Sequence, residues 1–115
     1  QAFPIRATLS LHFTGKLNDS LAGFYRSKYK VGDEERWMAV TQFEATDARK
    51  AFPCWDEPAR KAIFKVTLVV PRWATAVSNM PVQRELQDVS SGCRSLTFSP
   101  TPRMSTYLLA FIVGE

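Results

Sequence analysis

The chain has 115 residues, of which 45% are hydrophobic and 23% are charged, and its formal net charge is +4. This size and composition predict one globular domain that buries a core of its own. Because no apolar run approaches about 18 residues, the sequence predicts no membrane-spanning helix.

The first predicted elements are three strands. Apolar and polar residues alternate at 9–14, which predicts a half-buried strand. Residues 24–31 and 36–44 predict two further strands, and the Gly-Asp pair that follows the first of them predicts a tight turn. We therefore expect these two strands to pair as an antiparallel hairpin.

A short helical turn is predicted next, at 48–51. Thr46 or Asp47 is a suitable N-terminal cap for it, and Pro53 must end it. The residues after Pro53, up to Pro58, are typical of turns.

Four more strands complete the predicted fold. They are expected at 62–70, 75–78, 95–98 and 106–113. The first is rich in β-branched residues and predicts a strongly buried strand that Pro71 ends, whereas 87–92 predicts a polar loop. The last run is apolar enough for a core strand, although part of it is compatible with a helix. About seven short strands predict a mainly β fold, either an antiparallel sandwich or an open barrel.

The organisation predicted for 1–115 is a single β-rich domain that is incomplete. The sequence has no initiator Met and no pattern of a signal peptide at its start. Its last predicted strand runs almost to Glu115. We therefore expect a processed chain or a fragment of a longer one.

A basic strand face offers one possible function. Arg26, Lys28 and Lys30 alternate along one face, and Tyr25 and Tyr29 lie on the other. Basic and aromatic strands bind single-stranded nucleic acid in some proteins. Three acidic residues at 33–35 would cancel much of this charge, so we favour a solvated face whose tyrosines turn into the core.

The residues for a self-contained hydrolase are few. His12 is the only histidine, and its alternating position predicts that it faces solvent, which argues against a nucleophile–histidine pair. Glu44, Asp47, Asp56 and Glu57 could supply a pair of catalytic carboxylates. However, Asp47 is explained as a helix cap, and Asp56 as a partner for Arg49 or Arg60.

Two cysteines allow at most one disulfide bond. Cys54 and Cys93 are best interpreted as free thiols of a cytosolic chain. With no Cys-x-x-Cys pair and one histidine, the sequence predicts no metal site.

Gln42 and Glu44 form the most suggestive polar pair. Two residues apart on a strand, they would share one face at roughly 7 Å from each other. A carboxylate in a partly dry place binds an ammonium group strongly, and a neighbouring amide can fix its orientation. Chemistry alone favours a plainer interpretation, in which Glu44 is an exposed residue paired with a nearby Lys or Arg.

A family resemblance changes that balance. The segment Thr41–Pro58 reads Thr-Gln-Phe-Glu-Ala-Thr-Asp-Ala-Arg-Lys-Ala-Phe-Pro-Cys-Trp-Asp-Glu-Pro. It resembles the signature of the N-terminal domain of M1-family zinc aminopeptidases. The resemblance continues in the same order through the runs at 23–29, 61–64, 78–80 and 104–108, and so covers nearly the whole chain. Within the family it is greatest to the puromycin-sensitive, cytosolic branch.

The resemblance implies a fold and two site residues. The fold is a saddle-like β domain that packs against a catalytic domain. Gln42 would line the pocket for the first substrate side chain, and Glu44 would bind the free α-amino group of a peptide. Asp47, Arg49 and Asp56, together with Glu57, would brace the loop without taking part in the chemistry.

The family's hydrolytic residues have no counterpart in this sequence. Its H-E-x-x-H helix, third zinc ligand, Gly-x-Met-Glu-Asn loop and catalytic tyrosine are all missing, so we expect zinc only in a full-length enzyme and none bound by this chain. The expected partners are the N-terminus of a peptide substrate and the catalytic domain of the parent chain. We expect a cytoplasmic location, no membrane and no nucleic acid. The alternative is a non-catalytic β module that binds protein or nucleic acid.

Overall fold

The computed structural model describes residues 6–115. Within them lie seven strands and two short 3₁₀ helices. The strands are β1 (Gly23–Val31), β2 (Glu34–Gln42), β3 (Thr67–Pro71), β4 (Thr75–Ser78), β5 (Val82–Asp88), β6 (Cys93–Phe98) and β7 (Phe111–Gly114). The 3₁₀ helices are Ala48–Lys50 and Thr106–Leu108.

The strands form two antiparallel sheets. One has the order β1-β2-β7-β4 and the other the order β3-β6-β5. The predicted mainly β, antiparallel fold is therefore confirmed. The β1–β2 hairpin is also confirmed, with Gly23 opposite Gln42 and Val31 opposite Glu34. Gly32 in its turn has φ of +61°, a conformation that glycine adopts without strain.

A buried cluster joins the two sheets. Val70, Leu96 and Phe98 come from the β3-β6-β5 sheet, and Ala76 comes from β4 of the other sheet. Each of these residues alternates with a more exposed one, as expected for strands that bury one face. This cluster is therefore where side chains of the two sheets pack against each other.

A second buried cluster lies under the loop that follows β2. Its buried members are Phe43, Ala48 and Leu109, and half-buried residues such as Phe64 and Val66 pack against it. Val66 also packs against the first cluster, so the two clusters are continuous.

The domain is more open than its length predicts. Its radius of gyration is 16.1 Å, whereas a compact domain of this length has about 13 Å. It exposes 8569 Å² of accessible surface, compared with about 6,300 Å² for a compact monomer of the same mass. Much apolar surface is consequently left in contact with water.

The strand predicted at 9–14 is wrong, because these residues form extended coil. Leu9, Leu11 and Phe13 are 69%, 54% and 55% exposed. No strand among residues 6–115 pairs with this segment, and an isolated strand lacks the ladder of hydrogen bonds that would hold it.

The strand predicted at 62–70 is shorter than expected and buries only one face. Its regular part begins at Thr67, while Ala62 forms a single bridge with Met104. Pro100 interrupts the opposite segment, since proline has no N–H to donate to a ladder. Val70 is buried, but its neighbour Val69 is 68% exposed, so the prediction of a strongly buried strand is wrong.

Three other parts of the fold differ from the sequence prediction. β5 was not predicted, because all seven of its residues are exposed and no apolar alternation marks it. The loop predicted at 87–92 shrinks to the turn of the β5–β6 hairpin. The run 106–113 divides into the 3₁₀ helix Thr106–Leu108 and strand β7. The strands predicted at 75–78 and 95–98 are confirmed as β4 and part of β6.

Replacing Leu96 should test the cluster that joins the sheets. Leu96 is 3% exposed, and Leu96→Ala leaves a cavity between β6 and β4, so we expect a loss of about 2–4 kcal/mol in the free energy of unfolding. Leu86→Ala, on the neighbouring strand β5, removes a side chain that is 51% exposed and should cost less than about 0.5 kcal/mol. Urea unfolding of both variants measures the difference. Equal losses would contradict the assigned core.

Candidate functional site

The segment Thr41–Pro58 is anchored by one aromatic side chain. Phe43 is 1% exposed, and its ring meets those of Phe52 and Phe111 edge to face, with centroids 6.0 and 6.1 Å apart. Such edge-to-face pairs add stability beyond the burial of their area. The chain therefore leaves β2 with a fixed direction at Phe43.

Gln42 and Glu44 flank this anchor, and both are exposed. The side-chain carbonyl of Gln42 accepts a hydrogen bond from the backbone N–H of Glu44 at 3.2 Å. The prediction that both lie on one strand is wrong, because β2 ends at Gln42 and Glu44 belongs to the following turn. Their common outward orientation follows from the burial of Phe43 between them.

The carboxylate of Glu44 forms no ion pair with any residue of 6–115. Of the two bases that follow it, Lys50 pairs with Asp47 at 3.1 Å and Arg49 pairs with Asp56 at 3.0 Å. The plainer interpretation of Glu44, as one member of a surface ion pair, is therefore wrong. Glu44 thus presents a carboxylate acceptor that has no ion-pair partner in the described part of the chain.

A buried carboxylate closes the loop behind the pair. Asp56 accepts hydrogen bonds from the backbone N–H and Nε of Arg49, at 3.1 and 3.0 Å, and from the hydroxyl of Thr106 at 2.6 Å. Burial would raise the pKa of Asp56, but the hydrogen bonds from Thr106 and Arg49 and the positive charge of Arg49 together lower it. Arg49 also donates to the backbone carbonyl of Asp56 at 2.9 Å. These bonds fasten residues 49–56 into a closed loop.

The other carboxylates of the segment do not form a catalytic pair with Asp56. Asp47 occupies the cap position of the 3₁₀ helix, but its side chain makes no capping hydrogen bond and instead pairs with Lys50. Glu57 is exposed, and its backbone N–H donates to the carbonyl of Trp55 at 2.9 Å. Because Asp56 is fully engaged by its partners, two carboxylates cannot act here as acid and base.

Thr106 and Ser105 are structural residues that sequence reasoning assigned no role. The Ser105 hydroxyl donates to the carbonyl of Pro58, next to the Thr106–Asp56 bond. Both hydroxyls are buried, and they lie about 50 positions along the chain from their acceptors. In the sequence, only the family resemblance of the run at 104–108 marks these two residues.

The described residues offer no metal site and no histidine-based nucleophile. His12 lies in exposed coil. No three His, Cys, Asp or Glu side chains of residues 6–115 come close enough to hold a metal ion, so this part of the chain does not fit zinc. Cys54 and Cys93 are free thiols, as predicted, and both are half-buried. Burial and the nearby charge of Asp56 raise the pKa of the Cys54 thiol.

The basic face of β1 is largely neutralised. Arg26 pairs with Asp19 at 2.6 Å and Lys28 with Glu35 at 3.2 Å, and both cations lie within 5 Å of the Trp37 ring centroid. This arrangement is that of the solvated face favoured above. Its tyrosines, Tyr25 and Tyr29, are only half-buried and join neither buried cluster, so the expectation that they turn into the core is wrong.

Across residues 6–115, no helix is long and apolar enough to cross a membrane.

Comparison with known proteins places this geometry in context. Residues 3–108 match the model of the peptidase M1 N-terminal domain. Aminopeptidase M1-B of Oryza sativa subsp. japonica is 55% identical over 115 residues, which cover 99% of this chain and 13% of that protein. Aminopeptidase Ey of Gallus gallus is 57% identical over 105 residues (90% of this chain and 11% of that protein). Alanine/arginine aminopeptidase of Saccharomyces cerevisiae is 55% identical over 111 residues (95% and 13%). The chain thus spans about an eighth of the length of these relatives.

The stability that Asp56 contributes by closing the loop should depend on pH, and replacing Asp56 tests this. Asp56→Asn removes the charge that Arg49 and Thr106 stabilise, so we expect a loss of about 2–4 kcal/mol in the free energy of unfolding at pH 7. Because the folded-state pKa of Asp56 is lowered, its contribution is complete above the unfolded value near 3.9. The contribution disappears as the pH falls through the folded pKa. The difference in the free energy of unfolding between the unchanged chain and the Asp56→Asn variant should therefore become smaller. Urea unfolding between pH 7 and pH 2 measures this difference, and a difference independent of pH would contradict the assignment.

Proposed function

Because the chain belongs to the peptidase M1 N-terminal domain family, we propose that it supplies the anchor for a peptide's amino terminus in an aminopeptidase. The observation that carries this proposal is Glu44, an exposed carboxylate that forms no ion pair with residues 6–115 and lies beside the buried Phe43. Such a group can bind the α-ammonium of a peptide. A fixed anchor for that ammonium limits cleavage to the first residue.

Gln42 is the second part of the anchor. Its carbonyl oxygen is engaged by the Glu44 N–H, and this leaves the amide N–H groups directed away from the bond. These donors suit a carbonyl or polar group of the first substrate residue. The same bond holds the Gln42 side chain close to Glu44, so one substrate residue can reach both.

The anchor requires walls that residues 6–115 do not provide. In bulk water an exposed carboxylate binds an ammonium weakly, and the attraction strengthens when surrounding protein lowers the local dielectric constant. A catalytic domain of the same polypeptide would supply such walls. The accessible surface of this domain exceeds that of a compact monomer by about 2,300 Å², which supports its packing against a further domain.

Hydrolysis itself belongs to that other domain. Zinc would activate the attacking water there, whereas the described residues bring together no ligand set for the ion. The proposed substrate is a peptide with a free N-terminus. A cytoplasmic location and membership of the puromycin-sensitive branch remain predictions, and one relative is named as mitochondrial.

Replacing Glu44 in the whole aminopeptidase polypeptide tests the anchor. Glu44→Gln keeps the size of the side chain but removes its charge, so we expect kcat/KM for an unblocked aminoacyl substrate to fall by at least about 30-fold, roughly 2 kcal/mol. Glu57→Gln is the matched control, since Glu57 is an exposed carboxylate in the same segment with no ion pair to residues 6–115. Its kcat/KM should change less than about twofold. Equal effects of the two substitutions would contradict the role of Glu44.

The 115-residue chain alone should not hydrolyse peptides. We expect no release of coumarin from an aminoacyl-coumarin substrate, with or without added zinc, because the described residues lack a ligand set. Fluorescence of the freed coumarin measures the reaction. Turnover that a chelator abolishes would contradict the proposal that the domain anchors substrate but does not cleave it.

A further inference from the structure

A groove lined in part by the closed loop carries charge opposite to that of Glu44. We call it the basic groove; its volume is about 640 Å³. The side chains that define it are three cations and three aromatic residues. They are Arg60, Lys61, Arg103, Phe52, Trp55 and Phe64. Neither Gln42 nor Glu44 lines it.

The fold brings the three cations together from two distant parts of the sequence. Ala62 and Met104 form an antiparallel bridge, with both N–H···O bonds at 2.9 Å. Lys61 and Arg103 each precede one member of this bridge, so they are diagonal neighbours, a relation that separates residues by roughly 7–8 Å. Arg60 is adjacent in sequence, and its N–H donates to the Glu57 carbonyl at 2.9 Å.

The positive charge of the groove is not compensated within the described chain. Arg60, Lys61 and Arg103 form no ion pair with any carboxylate of residues 6–115, although six other cations do. Asp56 lies behind the groove wall, but Arg49 and Thr106 already satisfy its oxygens. A concave surface lined by one sign of charge concentrates the opposite charge.

The aromatic walls indicate more than a site for a simple ion. Trp55 is 72% exposed at the groove, and Phe52 and Phe64 are half-buried beside it. The volume lies within the range of pockets that enclose several side chains or a small organic ligand. The groove therefore combines charges suited to carboxylates with apolar surface suited to aliphatic or aromatic side chains.

From these features we propose that the basic groove binds an acidic segment of polypeptide. Arg60 and Arg103 can each donate a bidentate pair of hydrogen bonds to a carboxylate, and Lys61 adds a point charge. Apolar side chains between the acidic ones pack on Trp55 and its aromatic neighbours. This interaction is independent of the amino-terminus anchor, because neither Gln42 nor Glu44 lines the groove.

An acidic peptide whose amino terminus is blocked distinguishes binding in the basic groove from binding at Glu44. An N-acetylated, fluorescently labelled peptide of alternating Glu and Phe has no α-ammonium for Glu44 to bind. We expect it to bind the 115-residue chain, with an affinity that falls as the salt concentration rises. Each substitution among Arg60→Gln, Lys61→Gln and Arg103→Gln should weaken binding about threefold, and the triple variant should weaken it more than tenfold. Fluorescence anisotropy measures the affinities.

A matched triple variant controls for net charge. Lys30→Gln, Arg72→Gln and Arg84→Gln remove three exposed cations that form no ion pair with residues 6–115 and do not line the groove. This control should lose less than about threefold in affinity. Equal losses in the two triple variants would overturn the proposal, as would the absence of binding.

A cysteine lining the groove locates the bound peptide without any substitution. Cys54 contributes to the lining, whereas Cys93 is a free, half-buried cysteine on β6 that does not. Bound peptide should slow maleimide modification of Cys54 and leave that of Cys93 unchanged. Equal modification rates with and without peptide would overturn the location, and tighter binding of a single-stranded oligonucleotide than of the acidic peptide would overturn the ligand class.

Discussion

The burial of Phe43 is the constraint on which the candidate site depends. Its ring is enclosed by Phe52 and Phe111, which come from the following loop and from the last strand of the same sheet. Phe43 is buried at the point where β2 ends, and the residues on either side of it, Gln42 in the strand and Glu44 in the turn, are left exposed. The core thereby orients two polar residues that have little contact with the core themselves.

The ion pair between the buried Asp56 and Arg49 fixes the rest of the segment Thr41–Pro58. The Asp56 carboxylate is almost fully desolvated, and its cost is offset by three hydrogen bonds from Arg49 and Thr106. These bonds connect the loop after β2 with the 3₁₀ helix before β7. They also place Cys54 and Trp55 along the wall of the basic groove. One buried carboxylate thus supports both of the surfaces to which we assign a function.

The two surfaces suit different parts of a ligand or partner. Glu44 offers negative charge on an open surface, and the basic groove offers positive charge in a concave one. Both are exposed on a domain whose shape is extended and whose sheets leave apolar side chains in water. If a further domain packs here, as proposed, it would exclude water from these charged groups and strengthen their attraction for a ligand.

Local sequence patterns determined the mainly β class, the β1–β2 hairpin and the short strands around Thr75 and Ser95. These features follow from alternation and turn residues, which involve only residues that are close together in the sequence. The motif at Thr41–Pro58 also identified Gln42 and Glu44 as the residues to examine. Tertiary structure alone decided that β2 ends at Gln42, that Glu44 has no ion pair within 6–115 and that Asp56 is paired with Thr106. It also decided that 9–14 is coil and that the wholly exposed β5 is a strand. A strand exists only where a partner strand supplies hydrogen bonds, and a charge is paired only where the fold places its partner; neither can be read from neighbouring residues.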